Sequence, residues 1–299
     1  MTETSIIIPF YNRLNWTIEA ITSVINQTYK DIEIIVIDDG SEDDFGETIK
    51  QLDGRIKYLK QKKLGPSSAR NLGVRNASGK FIAFLDSDDL FEPRKLEIQI
   101  QIMKDNPSIL MTHTSYRQVD VSGKSLDLIH SGLCSGDVYP KLYLECPIAT
   151  PTVIVRKDVF NEIVFDESIH VAEDVIFWVS VAKISRIMGI DEPLTKVRIH
   201  DVNSAFDPQK QIEGIMNILY SGVFKDNNLG LIKRNKLASD HYITIAFLSI
   251  KQIQIMKALS YFGLSFLYWP VNLKFFVEFI KYVIPKSVRS KIRNIIFKQ

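Results

Sequence analysis

Three carboxylates within four residues follow an apolar run in this chain of 299 residues. Residues 80–85 have the pattern of a buried strand, and Asp86, Asp88 and Asp89 come directly after it. Desolvating clustered negative charge has a large free-energy cost, so such acids persist at a strand end where a cation or polar ligand neutralises them. Magnesium and manganese bind carboxylate oxygens and keep positions open for substrate phosphates. The cluster therefore predicts a divalent-metal site, whereas a lone Asp-x-Asp would indicate a solvated acidic turn.

Two further polar segments follow earlier apolar runs. The first run ends in Pro9–Arg13 and the second in Asp38–Ser41. Each polar residue alone could cap a helix or close a turn. In the second segment one acid is expected to bind its own turn and the other to face a cleft. Ligands of open parallel sheets bind outside the carboxyl ends of the strands, so the three segments together predict one site.

Arg70 lies in Gly65–Gly73, which predicts a turn entering a helix. Near a phosphate-bearing ligand its guanidinium would be a fork-shaped anion partner, and elsewhere it would be a surface residue. No glycine-rich phosphate loop follows the first strand, so a diphosphate would be neutralised mainly by metal.

The alternation of strand and helix patterns over the first 115 residues predicts an α/β fold with a mostly parallel sheet and helices on both faces. The predicted strands are 5–9, 32–37, 55–60 and 81–85, and a loop with a short helix is predicted over 42–52. The other predicted helices are 14–25, 67–76 and 93–104, the last with Pro93 at an early helical position. A hairpin turn at 119–124, a helix at 137–145, a strand at 152–155 and a helix at 174–184 are expected next. Beyond residue 208 the pattern is helical only.

Composition and charge narrow the class of protein. With 45% apolar and 24% charged residues the chain is globular. Residues 251–299 carry nine Lys or Arg and one acid, a net +8, and since the whole chain carries +2, the rest carries −6. This division is not typical of a nucleic-acid binder and favours contact with an anionic membrane face. Cys134 and Cys146 lack metal-type spacing, which excludes a disulfide scaffold and indicates a reducing compartment, and a strand that begins by Ser5 leaves no room for a signal peptide.

The C-terminal segment favours a membrane surface over a membrane span. Residues 258–273 are uncharged, but this run is shorter than the roughly 20 residues that cross a bilayer, and Pro270 interrupts it. Aromatic and basic residues beyond it predict an amphipathic helix lying flat at the interface. Packing against the rest of the protein or a partner subunit is the alternative.

Residues 5–13, 36–41, 65–73 and 84–89 resemble, in order and spacing, the motifs of family 2 glycosyltransferases of the bacterial surface-polysaccharide type. These are inverting enzymes with the nucleotide-diphosphosugar transferase (GT-A) fold. The resemblance implies a catalytic domain over residues 1–207, with a nucleotide-binding half of about 1–115 and an acceptor half of about 116–207. A helical, basic, membrane-associating region would cover 208–299.

The resemblance also implies site residues. Asp174, in the acidic pair that opens a later helix, would be the catalytic base, with a helix N-cap as the alternative. His200 would approach the metal, or would be a structural histidine. The resemblance implies that a UDP-sugar is bound by Pro9, Tyr11, Arg13, Asp39, Arg70, Asp86 and Ser87, and Mn²⁺ or Mg²⁺ by Asp86, Asp88 and His200.

The implied reaction moves a hexose from UDP to a saccharide acceptor, free or linked to a polyprenyl diphosphate, in O-antigen, capsule or exopolysaccharide assembly. The expected location is the cytoplasmic face of the bacterial inner membrane. The Gln-x-x-Arg-Trp motif of processive members is missing from the sequence, which predicts one transfer per encounter. Two alternatives are a nucleotidyltransferase, which would need a glycine-rich basic loop in place of Pro9–Arg13, and a catalytically inactive sugar-nucleotide-binding scaffold.

Overall fold

The computed structural model describes residues 2–200, 207–272 and 274–275, and the chain divides into two compact units, 1–203 and 204–299. The strands of the first unit are β1 Thr4–Phe10, β2 Ile32–Asp38, β3 Ile56–Lys60, β4 Phe81–Phe84, β5 Leu90–Phe91, β6 Met111–Val119, β7 Ser125–Ile129, β8 Ile154–Arg156 and β9 Ile187–Arg198. Its helices are α1 Leu14–Ile25, α2 Gly46–Lys50, α3 Pro66–Asn76, α4 Lys95–Asp105 and α5 Glu173–Ile184.

The strands of the described residues form one mixed sheet in the order β3-β2-β1-β4-β8-β6-β9-β5, with β7 paired to β6. Strands β1 to β4 pair in parallel, as the alternation of strand and helix patterns predicts. β8 pairs antiparallel to both β4 and β6, whereas β6 and β9 are parallel. The predicted α/β class is confirmed, and the fully parallel part is the half formed by the first four strands.

Helices cover both faces of the parallel half. Ile6 and Ile8 of β1 pack on one face in a cluster with residues of α1 and α4. Ile7 points to the opposite face, as the two-residue period of a strand requires. There, a Cβ added to Gly73 of α3 would lie 2.6 Å from Ile7 Cγ2. Glycine thus lets α3 approach the sheet closely, which places Arg70, near the start of that helix, beside the carboxyl ends of the strands.

Two helix predictions are wrong in their bounds. Helix α4 begins at Lys95, so Pro93 lies in the preceding turn and not inside the helix. The predicted helix at 137–145 is only a 3-10 turn, Lys141–Tyr143, because Pro140 has no N–H to donate within a helix.

The region of the predicted strand at 152–155 is divided between two elements. Thr150–Thr152 forms a 3-10 turn and the strand β8 begins at Ile154. The hairpin turn predicted at 119–124 is confirmed, with the Asp120 amide donating to the Lys124 carbonyl at 2.9 Å.

The described part of the second unit is helical, as predicted: α6 Pro208–Asn217, a π-helical segment Ile218–Val223, α7 Leu231–Lys251 and α8 Ile255–Tyr268. α8 packs on α7, with Ser239 and Ser265 joined by a 2.8 Å hydrogen bond. Its outer side exposes apolar residues, among them Met256 and Leu267 at 78% and 77%. Within the described residues, no helix combines the length and apolarity needed to cross a bilayer. Residues 276–299, which carry most of the predicted basic helix, lie outside the described residues.

Candidate active site

Arg70 joins two distant segments of the first unit. It is 5% exposed, and its Nη2 donates to Asp86 Oδ1, just after β4, at 3.0 Å. Its Nη1 donates to Glu173 Oε1, at the start of α5, at 2.7 Å. The ring of Phe165 lies 5.5 Å from the guanidinium carbon. A planar guanidinium can bind two carboxylates at once, so a single cation fixes the β4 loop relative to α5.

Burial and charge together set the protonation of this cluster. Burial lowers the pKa of Arg70, but the charges of Asp86, Glu173 and Asp174 outweigh burial and raise that pKa above its ordinary value. Burial raises the pKa of Asp86 and of Glu173, and the negative charge of Asp174 raises both further while Arg70 opposes the rise. The raised carboxyl pKa values show that Arg70 does not fully offset the burial of Asp86 and Glu173 and the negative charge beside them.

Asp88 is held by two side chains from distant segments. Its Oδ2 accepts from Arg13 Nη1 at 2.7 Å and from the Nε2–H of His200 at 2.9 Å. The Trp16 ring lies 4.9 Å from the His200 ring and 5.5 Å from the Arg13 guanidinium carbon. The structure therefore brings together three predicted site residues, and adds a tryptophan that the sequence analysis did not select.

The fit of a divalent metal depends on the free carboxylate oxygens. Among the described residues, no three His, Cys, Asp or Glu side chains form a metal-binding group. Asp88 uses Oδ2 for Arg13 and His200, and Asp86 uses Oδ1 for Arg70, so each has one oxygen left in the described contacts. Magnesium typically takes one or two protein carboxylates and completes its shell with water and substrate phosphates. Asp88 and Asp86 fit a site of this shared kind and do not form a complete protein cage with His200.

Asp38 and Asp39 accept hydrogen bonds from different segments of the protein. Asp38 accepts from the Ser41 amide and the Tyr58 hydroxyl, both at 2.7 Å, so it serves its own turn as expected. Burial alone would raise the pKa of Asp38, but these hydrogen bonds lower it. Asp39 accepts three hydrogen bonds from residues 61–65, the loop that enters α3. Its Oδ2 carries only one of them, which leaves that oxygen able to accept from a further donor.

The loop after β1 forms an open side of the site. Pro9 lies in β1 opposite Ile37, and the half-buried Tyr11 has Lys63 Nζ 3.7 Å from its ring centre. Residues 12–16 line a cavity of about 340 Å³, within the size range of small-molecule sites. Ser87 is buried in the β4 loop.

Asp174 lies at the second position of α5 and is not its N-cap. The N-cap is Ala172, at φ 65°, and no side chain caps the helix there. Asp174 Oδ1 accepts from the Val175 amide at 2.8 Å, and Oδ2 accepts from Thr150 Oγ1 at 3.0 Å. The N-cap alternative is therefore wrong, and Thr150 is a partner that sequence reasoning missed.

Comparison with known proteins identifies a family that matches this chain. The sequence profile of the family described as Glycosyl transferase family 2 matches residues 5–164, more than half of the chain. The matched segment contains Asp39, Arg70, Asp86 and Asp88, while Asp174 and His200 lie beyond it.

Two relatives show how far the similarity extends. An uncharacterised glycosyltransferase of Rickettsia conorii is 50% identical over 220 residues, which are 73% of this chain and 36% of that protein. The chain spans between 31% and 42% of the length of three Rickettsia relatives that are 44–50% identical to it. The UDP-Glc:alpha-D-GlcNAc-diphosphoundecaprenol beta-1,3-glucosyltransferase WfgD of Escherichia coli is 32% identical over 233 residues, 76% of this chain and 88% of WfgD.

Solved structures share the fold. S. aureus TarS 1–349 in complex with UDP-GlcNAc has a TM-score of 0.66 at 20% identity, over 88% of this chain and 81% of that one. The mannosyltransferase PcManGT of Pyrobaculum calidifontis, in complex with GDP-Man and Mn²⁺, has a TM-score of 0.65 at 12% identity. The match covers 96% of this chain and 82% of that one. These likenesses confirm the predicted GT-A fold.

The Arg70 network predicts a pH-dependent loss of stability. Arg70→Gln should lower the free energy of unfolding by about 3–5 kcal/mol at pH 7.5, because the buried Glu173 and the half-buried Asp86 would lose their partner. An acid whose folded pKa is raised destabilises most above that pKa and least near its unfolded value of about 4. The loss should therefore shrink at pH 5, and urea denaturation at both pH values measures it.

Two variants make this measurement specific. Arg70→Gln combined with Glu173→Gln should recover part of the loss, since one buried charge is removed. Arg75→Gln is the matched control, because Arg75 is 60% exposed and lies 3.9 Å from Glu167, so its loss should stay within about 0.5 kcal/mol. A loss for Arg70→Gln as small as that of the control, at both pH values, would contradict the network.

Proposed function

The chain belongs to glycosyl transferase family 2, and on that premise we propose that it transfers a hexose from a UDP-sugar to a saccharide acceptor with inversion at the anomeric carbon. One observation carries the proposal. Arg70 ties Asp86, in the loop after β4, to Glu173, the neighbour of Asp174. This ion-pair network brings acids suited to the donor side and an acid suited to act as a base into one site.

In this mechanism Asp174 takes the proton of the acceptor hydroxyl while the hydroxyl oxygen attacks the anomeric carbon. The bond from that carbon to the diphosphate oxygen breaks on the opposite face, and UDP leaves with the electron pair. Asp88, with Asp86 adjoining, would hold Mn²⁺ or Mg²⁺, which offsets the charge on the departing diphosphate. Arg13 adds fixed positive charge on the same side. One displacement by one base inverts the anomeric carbon.

The nucleotide is assigned to the carboxyl ends of β1, β2 and β4. Asp39 has a free acceptor position for a uracil N–H, and Pro9, Tyr11 and Ser87 lie on the adjoining loops. TarS has been solved with UDP-GlcNAc and PcManGT with GDP-Man and Mn²⁺. Those complexes support a sugar nucleotide and a divalent metal for this chain.

The acceptor is proposed from WfgD, whose name specifies alpha-D-GlcNAc-diphosphoundecaprenol as its acceptor. We assign this chain a saccharide acceptor linked to a polyprenyl diphosphate, one transfer per encounter, and a place in O-antigen, capsule or exopolysaccharide assembly. The catalytic domain is assigned to residues 1–207.

Residues 208–299 are assigned a peripheral contact with the cytoplasmic face of the bacterial inner membrane. The apolar residues that α8 exposes, Met256 and Leu267 among them, suit insertion at a lipid interface. The net charge of +8 over 251–299 suits anionic lipid.

Release of UDP tests the activity and its metal together. With a panel of UDP-hexoses and a GlcNAc-diphospholipid acceptor, we expect UDP and extended lipid to form with Mn²⁺ or Mg²⁺ and not in EDTA. Asp88→Ala should abolish transfer with little loss of stability, because its carboxylate is half of a metal site and not part of the core. The matched control, Asp105→Ala, removes an exposed carboxylate and should be fully active.

Full activity in EDTA, or in Asp88→Ala, would contradict the metal assignment. Binding of UDP-sugars without UDP release for any donor would favour the inactive scaffold instead.

Asp174→Asn tests the base. The amide keeps the size of the side chain but cannot accept the acceptor proton, so kcat should fall by about 10²–10⁴-fold with UDP affinity intact. Steady-state kinetics and UDP titration measure the two effects. Asp166→Asn, an exposed aspartate that binds Ser168 in the approach to α5, should match wild type. An equal loss of UDP affinity in Asp174→Asn would indicate a structural role.

Vesicle sedimentation tests the membrane contact. The protein should pellet with phosphatidylglycerol vesicles at low salt, with an attraction of about 1 kcal/mol for each basic residue near the surface, and salt should weaken it. Met256→Gln with Leu267→Gln should reduce pelleting, whereas Leu133→Gln, an equally exposed leucine of the first unit, should not. If the protein stays in the supernatant at low salt, the membrane contact is wrong, and residues 208–299 pack against protein instead.

A further inference from the structure

A buried polar cluster lies behind the 3-10 turn Thr150–Thr152, and the proposed mechanism does not use it. Lys95 of α4 is completely buried, and burial lowers its pKa well below the ordinary value. Its Nζ contacts Gln99 Oε1, donates to the Thr152 carbonyl at 3.2 Å and lies 4.6 Å from the Phe91 ring centre. Its described partners include no carboxylate, so this lysine binds the turn and does not form an ion pair.

The carbonyl groups of the turn are held from two sides. The Thr152 carbonyl accepts from Gln99 Nε2 at 3.1 Å as well as from Lys95. The Pro151 carbonyl accepts from Thr195 Oγ1 of β9 at 3.3 Å. Donors from α4 and β9 thus restrain consecutive residues, and the turn has little freedom to move.

Thr150 is the residue that this turn places against Asp174. Thr150 is 5% exposed, and its hydroxyl donates to Asp174 Oδ2 at 3.0 Å. The other oxygen, Oδ1, accepts from the Val175 amide of α5. One donor therefore comes from the helix that carries Asp174 and the second from the restrained turn, and together they fix the orientation of the carboxylate.

We propose that Thr150 is a positioning residue for Asp174, and that the buried Lys95–Gln99 pair holds the turn that carries it. The inference rests on the proposed role of Asp174 as the base. A base acts efficiently only when its lone pair is aligned with the hydroxyl proton, and small displacements of reacting groups cause large losses in rate. Thr150 acts through the carboxylate, so its loss should affect kcat and not donor binding.

Thr150→Val keeps the branched shape and removes the hydroxyl. We expect kcat to fall about 10-fold, equivalent to about 1.4 kcal/mol, with the KM for the UDP-sugar and the melting temperature near wild type. Thr150→Ser keeps the donor and should retain most of the activity. Thr4→Val is the matched control, because Thr4 is equally buried and its Oγ1 has no hydrogen-bond partner among the described residues.

Two further variants separate positioning from general packing. Thr150→Val in the Asp174→Asn background should cause no additional loss, because the hydroxyl acts through the carboxylate. Lys95→Met removes the donor and keeps the volume of the side chain, and it should reproduce the fall in kcat with donor KM unchanged. A crystal structure of Thr150→Val, which needs no acceptor, should show the Asp174 carboxylate turned from its wild-type position.

The outcomes distinguish this inference from the proposed function. Wild-type kcat in Asp174→Asn would overturn the base itself. If Asp174→Asn loses activity but Thr150→Val keeps the wild-type kcat, only the positioning role is overturned. The same conclusion would follow if Thr150→Ser were no more active than Thr150→Val, or if the Asp174 carboxylate had not moved in the crystal structure of Thr150→Val. It would also follow if the losses in the double variant were additive.

Discussion

The Arg70 guanidinium lies where α3 passes the carboxyl ends of the parallel strands, and acids from two distant segments use its two Nη groups. Because desolvation offsets most of the Coulomb energy, a buried ion pair seldom adds much net stability, and breaking one has a large cost. The network is therefore better understood as a constraint on geometry. The loop after β4 and the start of α5 keep their spacing, because on leaving the cation Glu173 would become an unpaired buried charge and Asp86 an unpaired, half-buried one.

That constraint depends on packing elsewhere in the first unit. Arg70 reaches both acids only because α3 lies close against β1, and the missing Cβ of Gly73 allows that approach. The β4 loop is tied at a second point, since Asp89 accepts from the Arg198 amide at the end of β9 at 2.8 Å. Burial and the charges of Asp88 and Asp86 raise the pKa of Asp89 well above its ordinary value. Packing of the first unit thus keeps Asp86, Asp88 and Asp89 close together, whereas in a solvated loop their mutual repulsion would separate them.

Local pattern predicts the parallel half of the fold and much of the site. Strands β1, β2 and β4 are recognisable because both of their faces are apolar. Asp39, Asp86 and Asp88 follow a strand, and Arg70 lies in the helix that the Gly65–Gly73 segment enters. The position of the turn at Thr150–Thr152 could not be predicted, because its local hydrogen bonds are supplemented by donors from α4 and β9 that the local sequence does not record. The same holds for pairings: Arg70 meets Glu173 across 103 positions, a contact that no local signal records.

In the proposed reaction, the catalytic base Asp174 and the donor-side acid Asp88 are held in different ways. Asp174 is bound by an amide of its own helix and by a hydroxyl on a restrained turn, so its orientation is set before any ligand arrives. Asp88 is bound by Arg13, whose side chain is one-third exposed, and by His200. On the proposed function, Asp88 would exchange Arg13 and His200 for a metal that enters with the diphosphate, and the phosphates would offer Arg13 a new anionic partner. On the proposed function the base is therefore preorganised, while the donor side is completed by exchange of ion-pair partners, and metal and nucleotide binding support each other.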